Sequence, residues 1–131
     1  MRRILVLLTA GVVLGGFTAS SASAAPSDIK ISVAGQAKLV SPSTLELPVT
    51  YNCPASFEFG TITAGVQQTA TGAAGVGEEF APCTGEATTV DVTINAVNGK
   101  LFQLGQALGK GRLGVWTEAA EQTRRIQIVA G

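Results

Sequence analysis

The chain is 131 residues long, with nine basic and nine acidic side chains, two cysteines and no histidine. Without histidine there is no Ser-His-Asp or Cys-His nucleophile and no histidine-built zinc centre. A chain of this length supports one modest hydrophobic core and is too short for two domains of ordinary size.

Residues 1–24 read as a cleaved secretory leader. Arg2 and Arg3 precede the apolar run from Ile4 to Phe17, and a small-residue stretch ends in Ala22-Ser23-Ala24, which suits cleavage after Ala24. A membrane span needs about 20 predominantly apolar residues. This run is shorter and is diluted by Gly11, Gly15 and Gly16, which argues against a retained anchor. The expected product is a secreted, extracellular single domain of residues 25–131, with no membrane attachment after cleavage. That segment holds seven basic and nine acidic residues, a net charge of −2, which argues against nucleic-acid binding through phosphate neutralisation.

After the leader the apolar residues recur with the period of β-strands. Ile29, Ile31 and Val33 alternate with polar residues, and Leu45, Leu47, Val49 and Tyr51 do the same up to Cys53. Phe57 and Phe59 form a short run expected to share one face and pack together. Ile62, Ala64 and Val66 follow with opposite parity, which predicts a bulge or bend at Gly60-Thr61. Ala70 to Gly77 reads as a loop of small residues. Val90, Val92, Ile94 and Ala96 make the clearest central strand, and Asn98-Gly99 after it signals a tight hairpin. Gly109-Lys110-Gly111-Arg112 reads as a β-turn with two exposed cations, since it lacks the glycine run and the Ser or Thr of a phosphate loop. Leu113 with Val115 and Ile126 with Ile128 give the last strands, joined by a polar connection over Glu118 to Gln122. Arg124 and Arg125 place one cation on each face of the final strand, as edge protection or as a partner for a glutamate.

Few residues offer chemistry. In an exported protein Cys53 and Cys83 are expected to form a structural disulfide, since there is no Cys-x-x-Cys spacing and no base for a reactive thiol. Closing that loop is worth roughly 3 to 4 kcal/mol in the chain-entropy picture. Glu78, Glu79 and Glu86 form the densest acidic cluster. Their spacing is not that of a calcium loop, and neighbouring glutamates in a strand point to opposite faces, so solvated charge is the expectation. Trp116 is the candidate surface contact, because Leu113 and Val115 claim the inward face of its strand.

Seven or eight short strands in about 107 residues imply an all-β domain of two packed antiparallel sheets. The leader, the run Ala37 to Val40 before Leu45-Glu46-Leu47-Pro48-Val49-Thr50-Tyr51-Asn52-Cys53-Pro54, and the later Val90-Asp91-Val92-Thr93-Ile94 resemble the small secreted immunoglobulin-like domain proteins of high-GC Gram-positive (actinobacterial) bacteria. The resemblance implies an immunoglobulin-like β-sandwich and an exported location, and it names no activity. One departure is visible: an immunoglobulin pin joins central strands of opposite sheets, whereas Cys83 precedes the strong Val90 strand and is expected to tie a strand end to a loop.

The expected function is a non-catalytic, secreted binding or structural module, with no cofactor and no metal, whose partner is an unknown protein or cell-envelope component. The alternative is a small-ligand carrier or a protease inhibitor. A cleft lined by Phe102, Leu104 or Trp116 would favour the carrier, and a rigid exposed loop around Cys83 the inhibitor. A carboxylate-based hydrolase is the remaining class and would need two acids converging in a cleft.

Overall fold

The computed structural model describes residues 28–131, so the leader expected over residues 1–24 lies outside the described residues. Among the described residues eight strands follow one another: β1 Lys30–Val33, β2 Gln36–Ser41, β3 Thr44–Asn52, β4 Phe59–Gln68, β5 Ala73–Pro82, β6 Thr88–Ala96, β7 Gly105–Val115 and β8 Glu118–Ala130. A 3-10 turn, Ala55–Phe57, precedes β4.

The all-β expectation holds, but the two-sheet immunoglobulin-like sandwich does not. The strands run β3-β2-β8-β7-β4-β5-β6, and β6 then pairs with β3, so seven strands close into a barrel and β1 lies outside the ring. The closing β3–β6 ladder is long and antiparallel, from Thr44↔Asn95 to Tyr51↔Thr88. A sandwich would leave sheet edges open, whereas each strand of this ring has a neighbour on both sides. All the pairings are antiparallel except β2 with β8, where Gln36 to Leu39 run parallel to Gln127 to Ala130.

Alternation sends one face of every strand inward. Leu45, Leu47, Val49 and Tyr51 of β3 meet Ile62, Val66, Val92, Ile94, Leu113, Val115, Ile126 and Ile128 in one buried core. The seven-stranded ring leaves little interior room, and glycine at inward positions makes that room usable. A Cβ on Gly111 would lie 2.9 Å from Val33 and 3.2 Å from Ile31, and one on Gly109 would meet Ile126 at 3.1 Å. The Gly109 to Arg112 segment is therefore the middle of β7 and not a turn: its glycines face inward and its cations outward. The same physics corrects the Ala70 to Gly77 expectation. The turn is confined to Thr69–Gly72, and residues from Ala73 onward form β5. There Gly77 packs directly on the β6 backbone, where an added Cβ would overlap the Thr93 carbonyl oxygen.

Three further expectations change. Asn98-Gly99 opens an eight-residue connection between β6 and β7, which are not paired with each other. Glu118 to Gln122 is the first part of β8, paired without interruption to β7 from Val115↔Glu118 onward. Gly60-Thr61 is regular strand; the parity changes because Phe59 faces outward while Gly60 and Ile62 face in.

β1 fills the flank where β2 leaves off. Both pair with the same edge of β3, β2 near Glu46 and β1 from Val49 to Asn52. Pro48 sits at the changeover. Its carbonyl accepts from Ala34 N (3.0 Å), so its missing N–H falls in the gap between β1 and β2, where no ladder bond is lost. Toward β8 the outer side of β1 is held by side chains: Gln122 Oε1 accepts from Val33 N (2.7 Å) and Arg124 Nη1 donates to Val33 O (3.0 Å).

Candidate functional site

The two ends of the barrel differ in chemistry. At one end the β4–β5 turn and the stretch leading into β7 stand side by side, and Gln68 joins them. Among the described residues it is the one buried polar side chain, 2% exposed. Its Nε2 donates to the carbonyls of Gln103 (2.8 Å) and Gln106 (3.3 Å). Its Oε1 accepts from Gln103 N (2.9 Å) and from the Thr71 hydroxyl (3.1 Å). Both halves of the amide are satisfied, as a buried amide requires. Asn98 makes a second clamp: its Nδ2 donates to Gly72 O (2.8 Å) and its Oδ1 accepts from Lys100 N (3.2 Å). The residues read as a hairpin signal thus fasten the long loop to the neighbouring turn.

Between these braced walls runs a half-open groove of about 570 Å³, lined by Ala70, Leu104, Ala107, Leu108, Arg125 and the Gln68 to Thr71 turn among others. That volume lies within the usual range for small-molecule sites. Leu104 is 58% and Leu108 43% exposed, so the groove presents apolar surface to solvent. Leu108 and Arg125 are direct cross-strand partners on the outer face. Among the described residues, the ion pairs are Lys110 and Arg112 with Glu121, at 3.9 and 3.3 Å, and none involves Arg125. Of the three residues named for a cleft, Leu104 lines this groove, Phe102 is buried in the core, and Trp116 lies at the opposite end.

That opposite end carries the disulfide. Cys53, just after β3, is bonded to Cys83, just after β5, as expected, with the Cα atoms 5.0 Å apart. Cys83 N also donates to Glu58 O (2.9 Å), and the Tyr51 hydroxyl reaches across to donate to Pro82 O (2.8 Å). On this braced end Phe57 and Phe59 part company, contrary to the expectation of a shared face. Phe57 packs against the core, whereas Phe59 is 53% exposed and stacks on Phe80 with ring centroids 5.5 Å apart. The cause is Glu58, whose φ of 70° turns the chain between them. Trp116 forms the two-residue β7–β8 hairpin with Thr117, is 79% exposed, and has φ of 49°. A left-handed φ costs a bulky side chain of order 1 to 3 kcal/mol, and glycine is the usual residue at such a position. The indole Nε1 donates to Phe57 O (3.3 Å), which fixes the ring beside the 3-10 turn.

The acidic cluster does not converge. Glu78 and Glu79 lie on opposite faces of β5, and Glu86 is exposed in the following turn. Among the described residues no group of three or more acidic or cysteine side chains is placed to hold a metal ion, and no helix is long and apolar enough to cross a membrane. Comparison of the sequence with protein-family models and with curated proteins gives no match, so nothing supports the immunoglobulin-like resemblance that the closed barrel contradicts.

Proposed function

We propose that this protein is a small-ligand carrier, and that the groove between the Thr69–Gly72 turn and β7 holds an amphipathic molecule with an apolar body and a carboxylate head. The observation that carries the reading is the groove itself: about 570 Å³, with Leu104 and Leu108 on its surface and Arg125 beside them. Its walls are tied by Gln68 and Asn98 before any ligand arrives, so little ordering cost falls on binding. A guanidinium bonds a carboxylate through two parallel N–H groups, which orients the head while the chain lies along the leucines. We take the carrier to act outside the cell, on the strength of the leader read at residues 1–24.

Titration calorimetry with dodecanoate tests the reading. The wild type is expected to bind one equivalent, and Arg125→Gln to bind about tenfold more weakly, the loss of one charge-assisted pair. The paired change Leu104→Ser and Leu108→Ser should abolish binding. Absence of heat with the wild type, or equal affinity in Arg125→Gln, would contradict it.

A further inference from the structure

The aromatic residues of the disulfide end are not used by the groove. The last β4–β7 pair is Thr61↔Gly114; Phe59 lies two residues before Thr61, and Trp116 lies two residues after Gly114 in the β7–β8 hairpin, where its indole Nε1 donates to Phe57 O (3.3 Å). Phe80 is the cross-strand neighbour of Thr61 on the other side. The paired rows of the outer face read Phe80-Thr61-Gly114, then Glu78-Thr63-Arg112, with Phe59 stacked on Phe80 and Trp116 in the hairpin beyond Gly114. Three aromatic side chains, exposed by 53%, 63% and 79%, border a floor of threonine and glycine.

The next row supplies donors and acceptors in balance. Arg112 leans over Gly114, its Nη1 3.3 Å from the place a Cβ would occupy, while its Nε is paired with Glu121 at 3.3 Å. Glu78 stands across Thr63 from Arg112. Arg112, Glu78 and Glu121 put charge of both signs beside the rings. The surface offers flat π-faces beside carboxylate, guanidinium and hydroxyl groups.

We propose that this end of the barrel is a stacking surface for a neutral glycan chain. A pyranose ring has an apolar face of C–H groups, which suits the electron-rich face of an aromatic ring, and hydroxyls that both donate and accept at its rim. Trp116 and the Phe59–Phe80 pair take the C–H faces of successive sugars. Thr61, Thr63, Glu78 and Arg112 meet the hydroxyls. An open row of rings fits a chain better than a single enclosed sugar. The side chains are presented by strand ends that the Cys53–Cys83 bond braces, so the rings do not have to be ordered on binding. The two unusual backbone positions, Glu58 and Trp116, are the ones that turn Phe59 outward and hold the indole in solvent.

Trp116 is the only tryptophan of the chain, so its emission reports contact directly. The full domain is titrated with cellohexaose, chitohexaose, maltohexaose and laminarihexaose. At least one is expected to shift the Trp116 emission with millimolar or better affinity. Phe80→Ala should weaken that binding about tenfold, the worth of one aromatic contact. Trp116→Ala, followed by calorimetry, should do at least as much, with near-UV circular dichroism and dodecanoate binding confirming that the barrel is intact. Silence with all four hexasaccharides overturns the proposal, as does unchanged affinity in both variants. A shift produced by hexa-arginine and by none of the sugars also overturns it, and assigns the surface to a cationic partner. Because dodecanoate binds at the other end, failure of either site leaves the other standing.

Discussion

Single residues carry much of what makes this barrel unusual. Gly77 allows β5 to rest on the β6 backbone, where an added Cβ would overlap the Thr93 carbonyl oxygen, an atom that cannot swing aside. Gly77→Ala is expected to cost about 3 kcal/mol, the upper range for overpacking, read as a lower urea midpoint. Trp116 works in the opposite sense. With φ of 49° and most of its surface in solvent, it gives up backbone comfort and gains little burial. Trp116→Gly should raise stability by about 1 kcal/mol in the same assay, despite losing the indole bond to Phe57.

Among the elements, β1 is the least conventionally held. It has a backbone ladder on one side only, and toward β8 the bonds from Gln122 and Arg124 to Val33 stand in for a ladder. Those side chains also occupy backbone groups that would otherwise form an open strand edge. Arg124→Ala combined with Gln122→Ala is expected to speed amide exchange at Val33 at least tenfold while leaving the β3–β6 ladder protected, as hydrogen-exchange NMR would show. The sequence makes the strands themselves legible, because Leu45 to Tyr51 and Val90 to Ala96 alternate cleanly. Alternation says which side chains go in and is silent on which strand lies next, so a closed ring and a two-sheet sandwich look alike. Gly109 and Gly111 mislead for a related reason. Glycine is read as a turn residue, and here it marks inward positions that leave space for Ile31, Val33 and Ile126.

Taken whole, the molecule has two unlike ends on one rigid ring. Closure fixes the ends relative to each other, and the disulfide braces one while Gln68 and Asn98 brace the other. Part of this is visible in the sequence: the Cys53–Cys83 bond, the exposure of Trp116, and Leu104 as a cleft residue. Arg125 is not, since a cation on a last strand reads as edge protection until its neighbour across β7 is known to be Leu108. Nor is the Gln68 clamp, because a lone glutamine carries no pattern that announces burial. On the proposed reading, the Gln68–Arg125 end takes a carboxylate-headed amphipathic ligand. The most direct test is a titration of the isotope-labelled domain with dodecanoate, followed residue by residue by NMR. Chemical-shift changes are expected to concentrate at residues 68–71, 103–108 and Arg125, with Trp116 and Phe80 still. Changes centred elsewhere, or none at saturating ligand, would contradict it.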